Sequence, residues 1–248
     1  MRALFASDLH LSEDRPEANE RLIAFLEGKA RFADALYVLG DLFEYWIGDD
    51  DLAEPFNAVI AGFFRDLTRR GVRLRVMHGN RDFLIGERFC SETGAQLLAD
   101  PTVEEINGVK TLLMHGDTLC TDDVDYQSWR ATARSGAWQQ QFLAQPLAER
   151  RSAILALREK SKAVVQAKPA AIMDVNGEAV REALRRHGVN RLVHGHTHRP
   201  GRHAVQVDGR PCERWVLPDW YGRGGYLEIA AGEPRLVRFQ AVRGIAGA

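Results

Sequence analysis

Five short polar clusters carry the oxygen and imidazole donors that could do chemistry in this chain. They are Asp8-Leu9-His10, Gly40-Asp41, His78-Gly79-Asn80-Arg81-Asp82, His115-Gly116-Asp117 and His194-Gly195-His196-Thr197-His198. Carboxylate, amide and imidazole ligands without sulfur suit a pair of divalent cations, and a carboxylate such as Asp41 can bridge two of them. The chemistry open to such a pair is hydrolysis by an activated water. Arg81 adds a planar fork matched to phosphate oxygens. A turn rich in Asn and Gly would account for Gly79 and Asn80 but gives Arg81 and Asp82 no role. Three imidazoles within five residues, at His194, His196 and His198, are equally hard to explain by packing.

Each cluster follows a run with the length and composition of a buried strand, so the donors are expected at strand ends. Residues 2–7 lead to Asp8 and His10, with Leu9 turned to the other face. The run Ala35-Leu36-Tyr37-Val38-Leu39 leads to Asp41, residues 72–77 to Asn80, residues 109–114 to His115, and residues 191–193 to the last histidines. Between them, Pro16 opens a helix faced by Leu22, Ile23, Phe25 and Leu26 and closed by Gly28. Pro55 opens another, bearing Phe56, Val59, Ile60, Phe63, Phe64 and Leu67, and Gly71 ends it. Helices at residues 86–93 and 178–187 and a short strand at residues 96–98 complete the alternation. Asn107-Gly108 marks a hairpin between residues 102–106 and 109–114. Residues 204–207, 214–217, 225–230 and 236–242 read as antiparallel strands that complete a second sheet, with the end fraying from Gly244. The acidic run Asp49-Asp50-Asp51 reads as a solvated loop.

Composition narrows the function classes. With 248 residues, 45% of them hydrophobic, the chain can build one large α/β domain spanning residues 1–248. Its 33 basic and 34 acidic residues nearly cancel, which leaves no chain-wide field for nucleic acid. Cys90, Cys120 and Cys212 are odd in number and unpaired in spacing, so they read as reduced, buried thiols. No secretory leader is recognised, and no run reaches the ~20 apolar residues of a membrane span. A cytoplasmic protein is expected, with contact to a membrane surface permitted.

Residues 121–168 break the pattern: helices follow one another without a strand between, bearing Tyr126, Trp129, Trp138, Phe142, Leu143, Leu147, Ile154, Leu155 and Leu157. Because this insertion joins two strand ends that both carry donors, it is expected to cap the site. Packing on the core and contact with an apolar ligand are both open to its tryptophans. Arg150, Arg151, Arg158, Lys160, Lys162 and Lys168 make it locally basic, as phosphates or an anionic lipid surface would require. Among the remaining polar residues, His187 and His203 are expected in a surface or capping role, His78 is not assigned to metal, and His194, Asp82 and Asp117 are expected to orient neighbouring donors.

Taken in order, the five clusters resemble the motifs of the calcineurin-like metallophosphoesterases. The resemblance covers most of the chain. It is narrower still toward the branch acting on UDP-2,3-diacylglucosamine in lipid A biosynthesis, through residues 41–49, 79–86, 115–123, 172–176 and 194–200. It implies a four-layer α/β/β/α sandwich with a helical cap and two divalent ions, manganese first among them. One ion would be held by Asp8, His10, Asp41 and His198 and the other by Asp41, Asn80, His115 and His196. It further implies catalytic roles for Asp41, Asn80, Arg81 and His115. Substrate contacts would come from Asn80, Arg81, Asp123, Tyr126, Ser161, Val165, Lys168 and His196. Val165 departs from the family, which usually has asparagine there, so one polar contact is lost. The implied partners are a lipid-linked UDP-sugar and the cytoplasmic face of the inner membrane, approached peripherally by a monomer. Other phosphoesterases of the same fold, acting on nucleotides or phosphoproteins, and a non-catalytic scaffold are the competing readings.

Overall fold

The computed structural model describes residues 1–168, 172–231 and 233–239, with the side chains of residues 162–167 excepted. Parallel strands buried on both faces supply the frame. Ala3–Ala6 (β1), Ala35–Leu39 (β2), Arg73–Met77 (β3) and Gln96–Leu98 (β4) pair in parallel register. The helices between them are Pro16–Gly28 (α1), Pro55–Arg69 (α2) and Glu87–Thr93 (α3). Proline stands in the first turn of α1 and α2, where its missing N–H costs nothing. The inner faces of these two helices bury Leu22, Phe25 and Leu26, and Ile60, Phe64 and Leu67. Val59, expected on that face, is 56% exposed, one step off the buried stripe.

A second sheet is built from Thr102–Ile106 (β5), Val109–Leu113 (β6), Arg191–His194 (β7), Gly201–Val207 (β8) and Arg210–Val216 (β9), in the order β5-β6-β7-β9-β8. The Asn107-Gly108 and Asp208-Gly209 hairpins place all four residues at positive φ, as tight two-residue turns demand. Gly225–Ile229 (β10) and Arg235–Arg238 (β11) depart from expectation: they join the first sheet beside β1, giving the order β11-β10-β1-β2-β3-β4. The turn at Trp220 carries the chain back across, where its backbone N–H donates to the carbonyl of Asp8. The end of the last expected strand, and the fraying read at Gly244, lie outside the described residues.

Period-two alternation assigns each strand's two faces to different cores. Ala3, Phe5, Tyr37, Leu39, Met77, Leu113, Val193, Trp215 and Leu227 pack between the sheets. Leu4, Leu36, Val38 and Val76 face α1 and α2. On the outer side of the second sheet, Leu112 and Leu192 meet Val180 and Leu184 of Gly177–His187 (α7). Helix, sheet, sheet and helix are the four layers.

Between β6 and β7 come Val124–Ala133 (α4), Gly136–Leu143 (α5) and Leu147–Ala167 (α6). Their cations do not form the open basic face expected of them. Arg150 pairs with Asp50, Arg151 with Asp51 and Glu54, Arg158 with Glu44, and Lys168 with Asp123. Lys160 is exposed, and the side chain of Lys162 lies outside the described residues. The acidic run is a solvated loop only at Asp50, which is exposed: residues 49–53 form a 3-10 turn with Asp51 buried. Asp49 accepts from Gly86 and Phe89 at the start of α3, while Asp50 and Asp51 receive the α6 arginines. Of the thiols, Cys120 and Cys212 are buried, but Cys90 is only half-buried.

Phe5 has no exposed surface and stacks on Tyr37 with ring centroids 4.7 Å apart between the sheets. Phe5→Ala is expected to destabilise the chain by about 3–5 kcal/mol, read as a lower urea midpoint at unchanged slope.

Candidate metal centre

All five clusters converge where the C-terminal ends of β1, β2 and β3 meet those of β6 and β7. Backbone bonds extend the ladder past the strands: Asp8 donates to Gly40, His10 to Asp41 and Leu11 to Leu42, at 3.0–3.1 Å. From the other sheet, the backbone N–H of His196 donates to the Asp8 carboxylate at 2.9 Å, and that of Gly195 to the carbonyl of His115. Asp8, His10, Asp41, His196 and His198 all have φ between 52° and 64°. A left-handed backbone is uncommon outside glycine and tends to be held where function needs it.

Asp41 lies between two groups of donors. Its Oδ2 is 3.7 Å from His10 Nε2, and its Oδ1 is 3.8 Å from His115 Nε2. On the first side, His198 Nε2 is 3.4 Å from Asp8 Oδ1. On the second, Asn80 Oδ1 is 3.0 Å from His115 Nε2 and 3.1 Å from His196 Nδ1. Asp8, His10 and His198 can converge on one cation, and so can Asp8, Asp41 and His115. Both ring nitrogens of His10 are buried with no hydrogen-bond partner among the described residues, and a metal would satisfy Nε2. His115 donates through Nδ1 to the carbonyl of Leu39 at 2.9 Å, which fixes the ring with Nε2 toward Asp41 and Asn80. Oxygen and nitrogen donors at these separations fit a pair of divalent cations.

Two glycines make the approach possible. A Cβ on Gly79 would collide with the backbone and carboxylate of Asp41, and one on Gly195 with Ser7 and Asp8. Asp82 fixes the first crossing as expected, accepting from the backbone N–H groups of Gly79, Asp41 and Leu42. Asp117 is completely buried and accepts from the Tyr126 hydroxyl at 2.6 Å and from Arg130 at 2.7 Å.

Electrostatics divide the imidazoles. Burial pulls His10 down to about 4 against the attraction of Asp41 and Asp8, and burial with the neighbouring His115 takes His196 to about 4. Burial acts the same way on His115, but Asp41, Asp117 and Asp8 outweigh it and raise the group to about 9. Burial raises the Asp41 carboxyl, whereas at Asp8 burial is overcome by the bond and charge of His198, holding that carboxyl well below its usual range.

A cleft of about 290 Å³ opens over these groups, lined also by Arg81, Asp123, Tyr126 and Ser161. Lys168 reaches Asp123 at 2.5 Å. The side chain of Val165 lies outside the described residues. Glu44, Thr197, Met173 and Arg199, which fall in the family-like stretches but were given no individual role, and Tyr221, which falls in none, also border the metal cluster or its cleft. Glu44 sits three residues beyond Asp41, where a ligand-adjacent carboxylate could have been suspected. Tyr221 carries no local signal. His187 ends α7 and His203 lies on β8, and both are half-buried rather than fully at the surface. His78 binds the carbonyl of Ile85.

A family profile described as calcineurin-like phosphoesterase matches residues 1–200. A protein of Aromatoleum aromaticum named UDP-2,3-diacylglucosamine hydrolase is 50% identical over 98% of this chain and 100% of its own. Proteins of the same name from Pseudomonas paraeruginosa and Nitrosococcus oceani are 48% and 51% identical, covering 96% and 89% of this chain and 99% and 88% of theirs.

Two outcomes test this geometry. Gly79→Ala, by displacing Asp41, is expected to lower metal content per chain and to cut hydrolysis by about 100-fold, measured by elemental analysis and turnover. His194 is completely buried, and burial with the charge of Arg214 lowers it to about 3 from 6.5. A lowered folded value means that the unfolded chain takes up the proton first as pH falls below 6.5, so stability drops toward pH 3. His194→Gln is expected to flatten that part of the stability profile in urea titrations.

Proposed function

The chain belongs to the calcineurin-like phosphoesterases, and from that premise we propose that it is a dimetal hydrolase of lipid A biosynthesis cleaving the diphosphate of UDP-2,3-diacylglucosamine. Water attacks the α-phosphorus, releasing UMP and leaving 2,3-diacylglucosamine 1-phosphate. The observation that carries this reading is a shared wall. Asn80, Arg81, Tyr126 and Ser161 line both the metal cleft and an adjoining pocket walled by Tyr45, Phe83, Trp129, Trp138, Ile154 and Leu157. A diphosphate at the donors would then continue directly into an apolar chamber, as an acylated sugar requires.

In this reading Asp8, His10, Asp41 and His198 hold one cation, and Asp41, Asn80, His115 and His196 the other, with manganese the cation assigned. When bound, such a pair supplies Lewis acidity and lowers the pKa of water toward neutrality. Arg81, at the joint between the two pockets, offsets charge that gathers on the phosphoryl oxygens. Asp123, Tyr126, Ser161 and Lys168 position the sugar and phosphate, with Lys168 held toward the cleft by Asp123. Trp129 and Trp138 meet edge to face and Trp138 stacks on Phe142, a rigid aromatic lining for acyl chains.

The protein works as a monomer on the cytoplasmic face of the inner membrane. Among the described residues no helix is long and apolar enough to cross a membrane. Val124, Trp129, Leu143 and Leu155 of α4, α5 and α6 are exposed, which supports peripheral contact through apolar side chains.

Hydrolysis in heavy-oxygen water with manganese is expected to label UMP. Label confined to the sugar phosphate would overturn the regiochemistry. Ready cleavage of soluble phosphodiesters, with the diacylated UDP-sugar left untouched, would overturn the substrate.

A further inference from the structure

The two histidines that flank Asp41 differ in what holds their second nitrogen. His115 is fixed through Nδ1 by the carbonyl of Leu39. His10 Nδ1 instead makes a charge contact, 3.2 Å from Glu44 Oε2 and outside hydrogen-bond geometry, while its Nε2 faces Asp41. Glu44 itself is only 8% exposed, and its remaining capacity is taken up by two groups from distant parts of the chain. The Tyr221 hydroxyl donates to Oε2 at 2.9 Å, and the Tyr221 ring stacks on His10 with centroids 4.7 Å apart. Arg158 of α6 pairs with Oε1 and also donates to the backbone carbonyl of Glu44 at 2.8 Å. One carboxylate therefore touches a candidate metal ligand, an aromatic ring that clamps that ligand, and the cap.

We propose that Glu44 is a positioning residue for His10 and that the Glu44–Arg158 pair couples cation binding to the seating of α6. Glu44 Oε2, 3.2 Å from Nδ1, would by charge attraction favour the proton on Nδ1 and so leave the Nε2 lone pair to a cation, the role a carboxylate plays behind a metal-bound histidine. Arg158 takes the opposite oxygen. When α6 lifts, Glu44 loses the partner that offsets its buried charge, and its hold on His10 loosens. By linkage, a cation that fixes His10 steadies Glu44 and through it α6. Arg158 also lines the apolar pocket, so the pair places cap seating and pocket closure on the same side chain.

The inference rests on the metal centre, and its test separates the two. Manganese is titrated into metal-free wild-type protein and into Glu44→Gln and Arg158→Met, with stoichiometry from electron paramagnetic resonance and hydrogen exchange of α6 followed with and without the ion. Glutamine keeps the size of residue 44 but replaces its charge. Expected are two sites in the wild type, a loss of about 10–100-fold in affinity at one site only in Glu44→Gln, and a smaller loss of roughly 2- to 30-fold in Arg158→Met. Manganese should slow exchange in α6 of the wild type and do so less in both variants. Failure of the wild type to bind manganese would sink the metal reading itself. Normal binding in the wild type with unchanged affinity in Glu44→Gln would overturn the role of Glu44. Weakened binding in Glu44→Gln with α6 exchange indifferent to manganese would overturn the coupling. Equal losses at both sites would mark Glu44 as a general structural residue and reject its assignment to His10.

Discussion

Two carboxylates brought together out of water set the terms for the rest of this molecule. Asp8 and Asp41 are 0% and 2% exposed, at the ends of neighbouring parallel strands. Like charges in a site of low polarity repel far more strongly than in solvent, so the surrounding fold must deliver compensating charge or donors. It does so from both sheets. His198 and the backbone of His196 reach Asp8 from the second sheet, and His10 and His115 flank Asp41. The elevation of His115 to about 9 shows how strongly this concentration of carboxylates attracts positive charge. A divalent pair placed among these donors would satisfy the same attraction, along with the unpartnered Nε2 of His10.

Backbone geometry accompanies this arrangement. Asp8, His10, Asp41, Asn107, His196, His198 and Asp208 are the non-glycine residues at positive φ among those described. Asn107 and Asp208 begin the two hairpin turns, where the conformation is expected. The other five are all candidate ligands. Such residues persist only when their surroundings overdetermine them. Here the surroundings are the ladder bonds that continue beyond β1 and β2, the three backbone N–H groups bound by Asp82, and the close crossings at Gly79 and Gly195. Strain sits where the donors are, and the buried sheets beneath hold it in place.

Much of this was legible in the sequence because strand periodicity and polar strand ends are local signals. The apolar run before Asp41 and the alternation that turns Leu9 away from Asp8 and His10 depend on nothing distant. Where reading failed, the determining partner was remote. The run Asp49-Asp50-Asp51 looks solvated until Arg150 and Arg151, a hundred residues later, are brought against it. The same pairings remove the basic face that composition suggests for α6, since a count of cations says nothing about where their counter-charges lie. β10 and β11 alternate as antiparallel strands should, yet alternation cannot say which sheet they join. Tyr221, stacked on His10, lies in a stretch with no donor motif at all.

The cap is held to the ligands from both sides, and this bears on how it can move. On one side Asp117, two residues past His115, receives Tyr126 and Arg130 of α4, and the Tyr126 ring lies 6.0 Å from that of His196. On the other side Glu44, three residues past Asp41, receives Arg158 of α6. The outer pairs are mixed: Asp50 and Glu54 are substantially exposed and water screens part of their attraction, but Arg150 and Asp51 are themselves buried. Asp117 and Glu44 are shielded, so separating them from their cap partners strands a buried charge. Outward movement of α4 or α6 would disturb groups that touch the donors as well as the peripheral pairs. The cap helices are for this reason part of the support of the candidate metal centre.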